Sequence, residues 1–266
     1  MGGQIVLHSF RLVFRNLSDA LKVSLGPYLI GLAIAALLMG MAGVSPGTLL
    51  TEGMGSVTGG TDASPAQAFA GLGVALVLLF VSSWVAVAWH RFVLLEEYPG
   101  MLPALSGRPV WRYIGKAILL GLILIVAMIP VMVVVGLVMG PMVGAPGATP
   151  GPMFFVTGLI VSILVGTFLT WLSIRLGLVL PATALGREMR FRESWSTSAP
   201  LSGAILTAIL ILVVLNIVVS ALLGLLFGGT VIFGLLDLVV NWISVMVGLS
   251  ILTTVYGHAA EGRSID

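Results

Sequence analysis

The chain has 266 residues, of which 59% are hydrophobic and 8% charged; its formal net charge is +2, its mean hydropathy +1.18, and it has no cysteine. A soluble globular domain carries roughly a quarter charged residues, so this composition excludes one and points to the bilayer. The absence of cysteine removes disulfides, thiolate metal sites and thiol nucleophiles together, and so small a charge leaves no nucleic-acid footprint.

Residues 4–23 are predicted to form an amphipathic helix. Gln4, His8, Arg11, Arg15, Ser18, Asp19 and Lys22 recur at helical spacing, opposite Ile5, Val6, Phe10, Val13, Phe14, Leu17 and Leu21. A polar-striped segment ahead of the first apolar run is not the usual form of a signal peptide. Such a helix lies along the membrane interface with its cations toward headgroups, either as an anchor for the first span or as a partner-binding surface.

Six apolar spans follow, at about 27–44, 67–91, 117–140, 153–180, 203–227 and 231–256. A membrane helix needs about 20 apolar residues, so all six are long enough or nearly so. Pro130 predicts a kink in the third, and Pro181 an end to the fourth. The loop at 45–66 is rich in Gly, Ser and Thr and predicted to be flexible, while 141–152 carries no charge. The connection after the second span holds Glu96, Glu97, Pro99, Pro103 and Pro109, then a basic stripe of Arg108, Arg112 and Lys116. Another basic segment, with Arg187, Arg190, Arg192 and Trp195, precedes the fifth span.

All twelve Lys and Arg fall on one side of this alternating series, and the opposite loops carry only Glu52 and Asp62. Cytoplasmic loops are enriched in Lys and Arg, so both termini are predicted to be cytoplasmic in a bacterial-type inner membrane. The fold class is all-α: a six-helix transmembrane bundle of three out-and-back hairpins, with interfacial amphipathic helices on the cytoplasmic side. All hairpins share one orientation, unlike the inverted repeats of many transporters.

Asp237 is the one carboxylate well inside a span, where a charge costs about 2.5–3.5 kcal/mol at the centre. Positions equidistant from the turn at 228–230 should lie at one depth, pairing Ser220 with Asp237 and Asn216 with Asn241. The four are either a polar ladder that glues the hairpin, with a protonated Asp237, or a proton or cation site. Small residues recur every four positions at Gly158, Ser162, Gly166 and Thr170, and at Ser220, Gly224 and Gly228. Such stripes serve internal packing or a homo-oligomer interface. Arg175 either snorkels to the headgroups or pairs with Glu96 or Glu97. Arg11, Arg15, Lys22, Arg108, Arg112 and Lys116 are candidate contacts to anionic headgroups.

Enzyme signatures are fragmentary. Glu96-Glu97 matches the start of the EExxxR pattern of prenyl-protein proteases, but Met101 stands where Arg is needed. Ser202-Gly203 and Gly257-His258 suggest rhomboid proteases only superficially, because the leading Gly of GxSG is missing. His8, His90 and His258 map to the cytoplasmic edge without HExxH spacing, so no metal or cofactor is expected.

The stretches Trp89-His90-Arg91-Phe92-Val93-Leu94-Leu95-Glu96, Arg175-Leu176-Gly177-Leu178-Val179-Leu180-Pro181-Ala182 and Phe191-Arg192-Glu193-Ser194-Trp195 carry a resemblance. Together they resemble uncharacterised bacterial six-helix inner-membrane proteins, which are similar to the membrane domain attached to some glycerophosphodiester phosphodiesterases. The resemblance implies a helical membrane fold without an established activity, and the phosphodiesterase's soluble barrel has no counterpart here. The sequence therefore favours a non-enzymatic membrane protein that associates with lipids or other membrane components. The alternatives are a transporter using Asp237, Asn216 and Asn241 and, more remotely, an intramembrane hydrolase.

Overall fold

The computed structural model describes residues 1–45, 64–100, 102–143 and 151–265; Glu52, Asp62, Met101 and most of the two loops at 45–66 and 141–152 lie outside them. The described residues form helices and no strand. In order they are α1 (Gly2–Arg15), α2 (Leu17–Met41), α3 (Pro65–Leu95), α4 (Val110–Met139), α5 (Pro152–Gly177), α6 (Val179–Ala184), α7 (Phe191–Thr197), α8 (Ser202–Phe227) and α9 (Val231–Glu261). Short 3-10 turns extend α4 and precede α8. Six of these segments are long and apolar enough to cross a membrane: α2, α3, α4, α5 continued by α6, α8 and α9. The architecture is that of a multi-pass, all-helical membrane protein.

Local chemistry sets the ends. Ser64 and Gln67 form a capping box at the start of α3, with Pro65 in the first turn. Thr230 accepts the Phe233 amide at 3.2 Å to open α9, and Gly262, at φ 70°, closes it. Helix α4 runs through Pro130 and α2 through Pro27 without interruption.

The predicted helix at 4–23 is divided. Asn16 leaves helical geometry, so α1 stops at Arg15 and residues 17–23 belong to the first long helix. The apolar side of α1, with Ile5, Val6 and Val13 buried, packs across α8 and α9. A Cβ on Gly2 would lie 2.7 Å from Thr207 Cβ and 2.9 Å from the Ala204 carbonyl oxygen, so only glycine permits this approach.

The long helices make a closed circuit of contacts, α3 to α4 to α5 to α8 to α9 and back to α3, with α2 packed on α3 from outside. The short α6 touches α3, α4, α5 and α9, and all six of its residues are buried. It fills one end of the bundle. Ion pairs between Arg112 and Glu188 and between Arg187 and Glu261 put the charged connections at that same end.

Burial is concentrated there. In α4 only Val110, Tyr113 and Leu120 are buried, all in its first half; in α8 only Ile205, Ala208 and Ile209. In α5 the buried residues begin at Thr167, and in α9 at Met246. Toward the other end, exposed apolar side chains run round the helices: Met132, Val133 and Val134 are successive exposed residues on α4. Among the described residues, α2 and α3 keep a cluster of buried side chains there, around Ala35, Met39, Ala70 and Val74. Lipid tails are as apolar as these side chains, so water expulsion does not draw the remaining helices together.

Candidate functional site

The charged end is held by polar contacts that begin at Arg175. Within the fourth span the helix breaks ahead of Pro181: α5 ends at Gly177 and α6 resumes at Val179. Ser194 Oγ donates to the Arg175 carbonyl at 2.7 Å and accepts the Leu178 amide at 3.1 Å, so one hydroxyl satisfies both sides of the helix break. The Arg175 side chain, 5% exposed, donates from Nε to Ser198 Oγ (3.0 Å), from Nη1 to Ser202 Oγ (3.1 Å) and from Nη2 to the Trp195 carbonyl (2.7 Å). Its guanidinium lies 3.8 Å from the Trp195 ring centre and 5.3 Å from that of Trp171. A planar cation over the Trp195 ring, with Trp171 edge-on beside it and neutral acceptors on its N–H groups, is well held without a carboxylate.

The predicted pairing of Arg175 with Glu96 or Glu97 is therefore corrected. Glu96 takes a left-handed conformation, φ 55°, at the end of α3, and is exposed. That turn sends Glu97 back to Arg91, whose Nε donates to it at 3.0 Å, while Arg108 closes from the other side at 2.6 Å. The hydrogen bond from Arg91, assisted by Arg108, holds the Glu97 carboxyl below the ordinary glutamate range. Arg91 also donates to the Ala184 carbonyl at 2.8 Å, and Arg263 to that of Leu94 at 2.8 Å. The three connections are thereby tied to one another. A cavity of about 200 Å³ lies over Arg91, Glu97 and Arg108, beside Trp84 and Tyr98.

A second group was not foreseen. His90 is wholly buried, with Nδ1 2.7 Å from Thr253 Oγ1 and Nε2 3.3 Å from Tyr113 Oη. Thr253 gives its proton to the Leu249 carbonyl at 2.7 Å. His90 Nδ1 must then donate to Thr253, which leaves Nε2 to accept from Tyr113. Beside it, Trp89 Nε1 donates to Ser250 Oγ at 3.0 Å. These bonds staple α3 to α4 and α9. Nothing in a lone His on an apolar helix indicates such partners; the Ser250 and Thr253 spacing on one face of α9 is the only trace.

At the opposite end of the bundle the predicted pairs do not form. Asn216 Nδ2 donates to Ser244 Oγ at 3.1 Å, not to Asn241, and Asn241 instead donates along its own helix to Asp237 Oδ2 at 3.0 Å. The register across the turn at 228–230 is three residues away from the equal-depth expectation, because side chains lean toward the N-terminus of each helix. Ser220 is exposed. The stripes divide likewise. Gly158 faces Met139 and Gly166 faces Val213, as internal packing requires, whereas Ser162 and Thr170 are exposed. A Cβ on Gly224 would meet nothing, and one on Gly228 only the end of its own helix.

Among the candidate headgroup contacts, Lys22 pairs with Asp19, Arg108 with Glu97 and Arg112 with Glu188. Lys116 lies 5.8 Å over the Phe191 ring, and Arg11 and Arg15 are exposed on α1. The Ser202 hydroxyl is engaged by Arg175 and the His258 ring by the Arg263 carbonyl at 2.7 Å. Among the described residues no three His, Asp or Glu cluster as a metal site would need. No protein family, curated protein or solved structure matches this chain.

Proposed function

We propose that the protein is a non-catalytic component of a bacterial-type inner membrane, whose role is to associate with phospholipid. Its six spans cross as three out-and-back hairpins with both termini cytoplasmic, and α1 and α7 lie at the cytoplasmic interface. The contrast between its two ends carries this reading. One end is a polar-stapled core with cations around it; the other offers apolar side chains on the outer faces of four helices, a surface that acyl chains satisfy. The distribution of Lys and Arg supports the orientation, and the resemblance to six-helix inner-membrane proteins agrees with the architecture.

The test is native mass spectrometry of the full chain released gently from membranes. Retained phospholipid is the expected result; a bare monomer, stripped of lipid and of any partner, overturns the reading. A second reading, ion-coupled transport, draws on the Asp237–Asn241 contact, a carboxylate and an amide in a span end with little packing around it. Transport through this group requires that Asp237→Asn abolish proton- or ion-coupled flux in reconstituted vesicles, and unchanged flux removes it.

A further inference from the structure

The charged end holds a second and larger cavity, about 550 Å³, where the first two turns of α4 meet the segment between α6 and α7. Four cations line it, Arg112, Lys116, Arg187 and Arg190, against two carboxylates, Glu188 and Glu193. Neither acid neutralises the interior. Glu193 is committed to the Arg190 amide at 2.7 Å, where it caps α7. Glu188 pairs with Arg112 at 2.8 Å, but both are largely exposed, so this contact is weak and readily exchanged for another. Arg187 is held from outside by Glu261 at 2.7 Å. Lys116 and Arg190 have no carboxylate within ion-pair distance among the described residues.

The depth is also informative. Lys116 is the last charged residue before an uncharged run that continues to Arg175, so it marks the level at which α4 enters the apolar layer. Phosphate groups lie at that level in a bilayer. A phosphate presents several strong acceptor oxygens to a surplus of two positive charges, with guanidinium forks to bind it in pairs.

We propose that this cavity binds a phosphate group, carried by an anionic lipid headgroup or present as the free ion. The proposal rests on the lipid-associating reading and sharpens it to one site. Lys116 and Arg190 are its central donors because neither is paired with a carboxylate among the described residues, while Arg112 turns from Glu188 to the ligand.

The experiment titrates the purified full-length protein with phosphatidic acid and with phosphatidylcholine of the same acyl chains, read by native mass spectrometry. A calorimetric titration with inorganic phosphate runs alongside. Lys116→Gln and Arg190→Gln are each expected to weaken phosphatidic acid binding by about tenfold, the loss of one charge-assisted contact. Arg192→Gln removes the same charge two residues away, from an exposed position outside the cavity, and is expected to change binding less than about twofold. Lys116→Arg, which keeps a cation, is expected to retain binding and so separates loss of the site from loss of the fold. A parallel loss of inorganic phosphate binding in the Gln variants shows that the free ion suffices; loss confined to the lipid assigns the site to headgroups. Equal losses in Arg190→Gln and Arg192→Gln, or none in either cavity variant, overturn the proposal. The phospholipid retained by the unaltered protein tests the broader reading separately and can persist when the cavity fails.

Discussion

Replacement of Arg175 by lysine should harm the protein more than replacement by methionine, although lysine is the nearer chemical relative. The guanidinium makes three hydrogen bonds and lies against two indole rings. Polar contacts in membrane proteins contribute about 0.6 kcal/mol each, and the ring contacts add about 0.5–2 kcal/mol. The holding forces therefore total about 2–4 kcal/mol. Opposing them is the cost of burying a cation, about 2.5–3.5 kcal/mol at mid-bilayer and less in the last turn of a span. Arg175→Met loses the first and recovers much of the second, leaving a net change within about 2 kcal/mol. Arg175→Lys recovers nothing. An ammonium cannot address three acceptors with a planar fork or lie flat over the Trp195 ring, so it forfeits about 2–3 kcal/mol with the charge still buried. Equilibrium unfolding of the detergent-solubilised protein by a denaturing detergent reads this directly, with Trp171 and Trp195 as local fluorophores. Wild-type stability in Arg175→Lys together with a large loss in Arg175→Met would refute the argument, because charge rather than planar geometry would then be what α7 needs.

Two other contacts give independent tests. His90→Leu strands the Tyr113 hydroxyl in a buried site and should destabilise by about 1–3 kcal/mol; adding Tyr113→Phe should restore part of that loss, so a double-mutant cycle with no coupling would remove the His90–Tyr113 bond from the account. Glu97 has a carboxyl pKa lower in the folded protein than in the unfolded chain. Its stabilisation is thus complete above the ordinary glutamate value of about 4.3 and disappears as pH falls from there through the lowered folded value. Thermal midpoints of wild type and Glu97→Gln should differ at neutral pH and converge on acidification, and a gap that stays constant with pH contradicts the pairing.

The parts of this fold that were legible in sequence are those fixed by composition along one chain segment. The fifth and sixth spans, expected at 203–227 and 231–256, are α8 and α9 to within a few residues, because apolar length decides where a helix can cross. What depended on chain reversal was not legible. Ser194, Ser198 and Ser202 look like loop residues until the helix break at Leu178 and the turn at Gly186, φ 78°, bring them back beneath Arg175. Glu97 reaches Arg91 only because Glu96 adopts a left-handed turn that its residue type does not advertise. The Asn216 partner was missed by three residues, less than one helical turn, because a count from the hairpin tip fixes depth but not the lean of side chains.

The segments 89–96, 175–182 and 191–195 meet in one place. Trp89, His90 and Arg91 supply staples to α9, α4 and the end of α6; Arg175 and Ser194 join the end of α5 to α7; Trp195 covers the guanidinium. Their common property is that each makes polar contacts between elements distant in sequence, where the membrane offers no hydrophobic force to do so. The open end of the bundle is the counterpart. With its polar side chains bonded mostly along their own helices, and many of its apolar ones turned outward on four helices, that end has few buried residues to fix its shape. On the lipid-associating function proposed above, acyl chains complete that end, while the stapled end sets the fold.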